Sequence, residues 1–257
     1  MRHNLGLALH FALRDLRERY VGTSLGHLWY LLSPLILIFI YTVIFSDFMK
    51  MKLPDIESGY GYSIYLVPGI LAWNTFATLL SRLNTSIPDR AHLIKKISVP
   101  IYSFQLAITI TEFVLFCISM SLGLIFLLLI GHPVGVSFLW LLPVMGLQML
   151  FTFAIGVILS LFMPFFRDLG EAVPIVLQLW FWMTPIVYTP DMIADRYPWI
   201  LTVNPFYPFV KIYHDIFVSS KSPEAGELLL PLAGTLVLLS LAGWLYKKMV
   251  PTIKDII

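Results

Sequence analysis

Long stretches of the chain carry no Asp, Glu, Lys or Arg, and short charged segments separate them. Four such stretches would each form a helix of about 28 Å or more, close to the roughly 30 Å hydrocarbon core of a bilayer. A fifth, between residues 113 and 166, is too long for one crossing, and Gly131-His132-Pro133 divides it with a strong turn signal. The predicted spans are 28–49, 61–82, 101–130, 136–163, 172–189 and 228–247.

These runs are continuously apolar, whereas a membrane β-barrel shows short alternating segments. The pattern therefore predicts an all-α integral membrane protein with six transmembrane helices in one domain, 27–257.

Basic residues predict the orientation of this bundle, because cytoplasmic loops are enriched in Lys and Arg. With six spans both termini lie on one side, and that side carries twelve of the 17 Lys and Arg residues. Both termini are therefore predicted to be cytoplasmic.

Segment 1–26 precedes the first span and is predicted to contain an amphipathic interface helix over 5–20. Its expected apolar face consists of Leu5, Leu9, Ala12, Leu13, Leu16 and Tyr20. The pairs Arg14–Glu18 and Asp15–Arg19 have i, i+4 spacing and opposite charge. The helix is either a simple anchor or a mobile element beside a lateral entrance for a lipid.

Two cytoplasmic loops are candidate contact points for a soluble partner. Loop 86–97 predicts a short helix, since Pro88 suits its first turn and Lys95 and Lys96 suit its last. The second loop, 164–171, contains the adjacent pair Arg167-Asp168. Either loop could instead be a solvated turn.

The external segment 190–227 has an uncharged middle, too short to span and interrupted by Pro198, Pro205 and Pro208. It predicts re-entrant half-helices whose backbone is buried in protein or faces water. A folded external cap is the alternative.

Composition supports a membrane protein. The chain has 257 residues, of which 58% are apolar and 12% charged, with a mean hydropathy of +0.84. In an average soluble domain, about 45–50% of the residues are apolar and about 25% are charged. This excludes an ordinary cytosolic enzyme and a disordered chain. The net charge of +2 gives no field for nucleic acid, and the single Cys117 excludes an intrachain disulfide.

Candidate chemistry is sparse. Glu112 is the one acid inside a predicted span, expected near the middle of the membrane without another charge beside it. An isolated charge there costs at least about 2.5–3.5 kcal/mol, so Glu112 needs a pore, a polar partner or a proton. The sequence has no phosphate-binding loop, no zinc motif and no nucleophile elbow, and the six His residues are scattered. No catalytic residue, metal or cofactor is therefore predicted, and any driving energy must come from another chain.

Aromatic side chains supply candidate substrate contacts, although most are expected to pack or to form interfacial belts. Tyr41, Phe45 and Phe48 share a face of the first span, and Phe181 and Tyr188 share one in the fifth. Rings that line a channel could stack on sugar rings, which would suit a long neutral polymer.

Four short motifs occur in order along this layout. They are Arg14-Asp-Leu-Arg-Glu-Arg-Tyr20 with Leu25-Gly-His-Leu-Trp29 and Pro34, His92-Leu-Ile-Lys-Lys96 with Val99-Pro100, Arg167-Asp168 with Pro185-Ile-Val-Tyr188, and Asn204-Pro205. Together they make the chain resemble the permease subunit of type-2 ATP-binding-cassette (ABC) exporters. The similarity is to the branch that exports polysaccharides such as O-antigen, capsule and teichoic acid.

The resemblance implies a homodimer of permeases in the bacterial inner membrane with two ABC ATPase subunits, which bind ATP and Mg. The coupling residues would be Asp89, Arg90, His92, Lys95, Arg167 and Asp168. The cargo would be a polyprenyl-pyrophosphate-linked polysaccharide, O-antigen-like, and Arg14, Arg17 and Arg82 could attract its pyrophosphate at the entry.

Three other functions stay open at this point. A drug or small-lipid exporter of the same family would have a closed cleft that faces lipid. An ion-driven secondary transporter would need a charge relay and discontinuous helices at the midplane. An intramembrane enzyme acting on lipid-linked sugars would need paired catalytic residues at one depth.

Overall fold

The structure is a computed structural model that describes residues 2–19, 21–44, 60–96 and 99–256. These ranges contain helices and turns but no strands, which confirms the predicted all-α class. The helices are α1 (Arg2–Glu18), α2 (Trp29–Thr42), α3 (Gly61–Asn84), α4 (Ala91–Lys96), α5 (Ile101–Leu129), α6 (Leu141–Phe162), α7 (Leu169–Met183), α8 (Asp191–Ala194), α9 (Pro198–Val203), α10 (Tyr207–Ser219) and α11 (Ala225–Ile256).

Helix α3 is the centre of the bundle. It packs against α2, α5, α6, α7 and α10, and nearly all of its side chains are buried. The main apolar core lies around it and includes Phe76, Phe116 and Phe206. A helix that is apolar on most sides belongs in such a position, because little of its surface is suited to water.

Four of the described helices are long and apolar enough to cross a bilayer. They are Gly61–Asn84, Ile101–Leu129, Val136–Phe162 with its leading 3-10 turn, and Ala225–Ile256. The apolar helices Gly26–Thr42, with its leading 3-10 turn, and Leu169–Met183 are shorter. The count of six crossings therefore stays a prediction, and the end of the first predicted span lies outside the described residues.

The fifth predicted segment, 172–189, has the wrong helical boundaries. The helix begins at Leu169 and ends at Met183, and Thr184 is extended. The next residue is Pro185, which disfavours helical geometry in the residue before it. Tyr188 therefore does not share a helical face with Phe181.

The end of the bundle that carries α4 is here called the α4 end. The two longest helices, α5 and α11, run past the bundle at this end. At about 1.5 Å per residue, the 32 residues of α11 extend about 48 Å, well beyond a bilayer core. A second apolar cluster lies here, where Ile253 of α11 is buried with Ile87, Ile94 and Ile101. The predicted helix of loop 86–97 is present as α4 with a preceding 3-10 turn over Pro88–Arg90, and this cluster supports it.

The opposite end, here called the α9 end, contains the short helices α8, α9 and α10 of segment 190–227, and their re-entry into the membrane stays a prediction. Helix α10 has 13 residues, and its side chains Phe209, Tyr213 and Phe217 are fully buried against the bundle. Asn204 joins this segment to α7: its Oδ1 accepts from Trp180 Nε1 at 2.8 Å, and its Nδ2 donates to Thr184 Oγ1 at 2.8 Å. The Asn-Pro motif thus has a structural role.

A close crossing of α3 and α6 generates a test of the fold. A Cβ added at Gly156 would lie 2.6 Å from Leu83 Cβ, so Gly156→Ala should destabilise the protein by about 1–3 kcal/mol through overpacking. The measurement is thermal unfolding in detergent. Gly146→Ala, in the same helix but with nothing within 4 Å, is the control and should have little effect. Equal melting temperatures for the two variants would contradict the close crossing.

Candidate functional site

A cluster of charges around the buried Glu112 joins three helices near the α4 end. The carboxylate of Glu112 on α5 accepts from Arg82 Nη1 at 2.6 Å and from Arg19 Nη1 at 2.7 Å. The same Arg82 donates from Nη2 to both carboxylate oxygens of Asp15 on α1, at 2.7 and 2.8 Å. We call Asp15, Arg19, Arg82 and Glu112 the ion-pair cluster.

This arrangement corrects the expectation for Glu112. Two guanidinium groups surround it, so it is not an isolated charge, and it lies beside Arg82, two residues before α3 ends. The reason is the length of α5: 29 residues extend about 44 Å, so the helix starts beyond the end of α3. Glu112 is therefore buried and hydrogen-bonded to two guanidinium groups, and the partner of Asp15 is Arg82 rather than the expected i, i+4 residue Arg19.

Helix α1 packs on α5 through small side chains. Ala8 and Ala12 are buried, and Phe11 stacks on Phe104 with ring centroids 4.8 Å apart. Leu9 and Leu13 of the predicted apolar face are 46% and 53% exposed, whereas Ala12 of the same face is buried. Alanines allow the close approach that the hydrogen bonds of Asp15 require, and the leucines point away from the bundle.

Next to the cluster, a groove of about 600 Å³ runs between α2, α3 and α7. Its wall combines aromatic, hydroxyl and amide side chains, and Arg82 lies at its α4 end. The lining residues are Tyr41, Ile70, Trp73, Asn74, Ala77, Thr78, Ser81, Arg82, Pro174, Leu177, Gln178 and Phe181.

The groove contains two of the five predicted substrate aromatics. Tyr41 and Phe181 line it, while Phe45 and Phe48 lie outside the described residues. Tyr188 lies beyond the end of α7, where its hydroxyl donates to Trp182 O at 2.9 Å. Sequence reasoning missed Trp73, whose ring centroid is 5.7 Å from that of Phe181.

The polar side of the groove was also missed, although the sequence carries a signal for it. Asn74, Thr78 and Arg82 recur every four residues within an apolar span, which places them on one helical face. Such a stripe indicates a surface that avoids lipid.

The predicted coupling residues fall into two groups. Asp89, His92, Lys95, Arg167 and Asp168 are exposed at the α4 end. Arg90 instead points inward, where it donates to Phe104 O at 3.3 Å and lies 3.8 Å from Asp15. Burial lowers the pKa of its guanidinium from the ordinary value.

The predicted pyrophosphate residues also differ in surroundings. Arg14 and Arg17 are exposed on α1, and Arg14 pairs with Glu18 at 2.7 Å, as the i, i+4 spacing predicted. Arg82 is bound by two carboxylates, so its charge is largely compensated. Among the described residues, no three His, Cys, Asp or Glu side chains are grouped so as to hold a metal ion.

These features define a helical, multi-pass membrane protein with a polar and aromatic groove and charged surface elements at one end. Residues 9–218 match the family described as ABC-2 type transporter. Because that match covers most of the chain, the chain belongs to the ABC-2 transporter family, as the motifs predicted.

Relatives from three bacteria support the membership. The chain is 31% identical over 224 residues to "O-antigen export system permease protein RfbA" of Klebsiella pneumoniae, covering 85% of this chain and 84% of the relative. It is 30% identical over 249 residues to the protein of the same name from Myxococcus xanthus, covering 95% and 92%. It is 23% identical over 236 residues to "Polysialic acid transport protein KpsM" of Escherichia coli, covering 91% and 90%.

The ion-pair cluster generates a stability prediction. Glu112→Ala leaves Arg19 and Arg82 with one fewer buried carboxylate and should destabilise the fold by about 3–5 kcal/mol. Thermal unfolding in detergent measures the loss. The control is Glu18→Ala, which removes an exposed pair with Arg14 and should cost at most about 1 kcal/mol. A Glu112 variant as stable as the control would show that the cluster does not hold α1, α3 and α5 together.

Proposed function

We propose that this chain is the permease of an ATP-driven exporter that moves a lipid-linked, O-antigen-like polysaccharide across the inner membrane. The observation that carries the proposal is its similarity, over 95% of its length in one case, to permeases named for O-antigen export. The groove between α2, α3 and α7 is consistent with that cargo.

The groove suits a glycan in its chemistry. Tyr41, Trp73 and Phe181 offer ring surfaces, and Asn74 and Gln178 offer amides. Rings that stack and amides that hydrogen-bond can hold a neutral polymer without strong charges, and so allow it to slide. The exposed Arg14 and Arg17 would attract the pyrophosphate of the lipid carrier to this end of the molecule.

We propose that two copies of the chain form the pore. In one copy the groove is lined by residues of three helices, and in this proposal it forms one wall of the pore. A second copy related by two-fold symmetry would place an identical wall opposite it, which is the commonest arrangement of protein dimers. Each chain would then supply half of the path.

Energy would come from two ABC ATPase subunits bound at the α4 end, which would be cytoplasmic together with both termini. Helix α4 and loop 164–171 would receive their movement. Arg90 of the α4 loop lies 3.8 Å from Asp15, which in turn binds Arg82 beside the groove. Movement of α4 is thus connected by charged contacts to the helices of the path. ATP can shift the transporter from one conformation to another only if the two conformations bind ATP with different affinities.

Charge reversal tests the ATPase contact. Lys95→Glu and Asp168→Arg change exposed side chains at the α4 end, so each should weaken ATPase binding several-fold with little effect on the fold. Co-purification with the ATPase and the ATP turnover of the complex are measured. Lys221→Glu, exposed at the α9 end, is the matched control. If ATPase recovery and turnover equal those of the control, α4 and loop 164–171 are not the docking surface.

Removal of groove aromatics tests the cargo. In cells without their own copy of this chain, the wild-type chain should restore glycan at the surface. Tyr41→Ala or Phe181→Ala should slow its appearance about fivefold, if each ring contributes about 1 kcal/mol.

Surface glycan is measured over time, with protein levels matched. Trp244→Ala removes an exposed ring on α11, away from the groove, and should export normally. If the wild-type chain fails to restore surface glycan, the proposed function is wrong. Normal export by both groove variants would exclude the stacking role of the aromatic rings but would leave the exporter function standing.

A further inference from the structure

A second cavity of about 270 Å³ lies between α2, α3 and α5, on the other side of Asn74 and Thr78 from the groove. We call it the side pocket. Its wall carries hydroxyls, an amide and two aromatic rings, and its α4 end is closed by the ion-pair cluster. The lining residues are Arg19, Trp29, Tyr30, Ser33, Pro34, Leu37, Leu71, Asn74, Thr75, Thr78, Glu112, Leu115 and Ser119.

Asn74 and Thr78 line both cavities and therefore connect the side pocket with the groove. Within α3, all of which the structure describes, Asn74 is the one residue whose side chain is exposed. It lies eight residues before Arg82, about 12 Å deeper along the helix axis. An amide at this depth needs a hydrogen-bonding partner, because an unsatisfied polar group in hydrocarbon costs several kcal/mol.

The side pocket has hydrogen-bonding capacity that the described part of the chain does not use. Thr75 Oγ1 donates to Leu71 O at 3.1 Å, and Ser119 Oγ donates to Leu115 O at 2.9 Å. The side chains of Ser33, Asn74 and Thr78 make no hydrogen bond with any residue in the described ranges. Two hydroxyls and one amide are thus available to a ligand.

The charges of the side pocket are balanced. Arg19 and Glu112, its two charged lining residues, bind each other at 2.7 Å. A free ion would find no uncompensated charge there. A neutral ligand with several hydroxyl groups fits the available donors and acceptors, and Trp29 offers an apolar ring beside them.

We propose that the side pocket is a binding subsite for one sugar unit of the passing glycan, held by hydrogen bonds from Ser33, Asn74 and Thr78. Its volume is at the lower limit of small-ligand sites, so it accepts a single unit or a short branch and the rest of the polymer stays in the groove. The proposal rests on the proposed function and adds a site that recognises the repeat unit of the glycan.

Cysteine labelling tests the subsite directly. Ser119→Cys, which lines the side pocket but replaces none of the proposed sugar contacts, is made in a Cys117→Ser background and treated with a charged maleimide in inside-out vesicles that contain the whole transporter. We expect labelling, because a thiol in a water-filled pocket can ionise. The probe is the oligosaccharide released by mild acid from glycan of the same cells, and it should slow labelling at least threefold.

Two control positions make the result decisive. Val237→Cys, on the exposed face of α11, should react slowly because a thiol in hydrocarbon stays protonated. Lys254→Cys, exposed near the end of α11, should react at the same rate with and without oligosaccharide. If Ser119→Cys reacts as slowly as Val237→Cys, it faces lipid or a second copy. If it reacts but is not protected, the pocket holds water only. Either result overturns the proposal.

An export measurement separates this proposal from the proposed function. Asn74→Leu removes the amide at similar size and should lower the rate of surface glycan appearance at least threefold, while Asn74→Gln, which keeps an amide, should retain most of the rate. Normal export by Asn74→Leu would overturn the subsite and leave the exporter function standing. Absence of glycan export by the wild-type chain would instead refute the proposed function.

Discussion

The carboxylate of Glu112, buried against the guanidinium groups of Arg19 and Arg82, is the contact on which the rest of the arrangement depends. Each of these charges alone would be costly away from water, and together they satisfy one another through short hydrogen bonds. Because they come from α3, α5 and the residues just after α1, and because Arg82 also binds Asp15 on α1, one cluster determines how these helices meet.

The position of the groove follows from this cluster. Arg82 ends the polar stripe of α3, and that stripe faces α2 and α7 on one side and α5 on the other. The central helix is otherwise largely buried, and its few polar positions form the wall that the groove and the side pocket share. The same cluster receives Arg90 from the loop that carries α4, which connects the proposed ATPase contact with the proposed path.

Several features were predictable from the chain alone because they depend on local chemistry. Uncharged runs predicted the helices, and Pro88 with the paired lysines predicted α4. Short motifs predicted the family that the comparisons confirm. The surroundings of Glu112 were not predictable, because Arg19 and Arg82 are 93 and 30 residues away along the sequence. The end of α7 was missed because the predicted span was defined only by the absence of charged residues, and this criterion ignores Pro185.

The sequence by itself determined that this protein is a bundle of apolar helices joined by charged segments, since hydrophobicity and charge act residue by residue. Only the tertiary structure decided which polar side chains face each other across helices, and which aromatic rings share one groove. Tyr41 and Phe181 meet there with Trp73, while Tyr188 turns away after the helix ends. Packing distances between remote segments set these contacts, and no local pattern contains them.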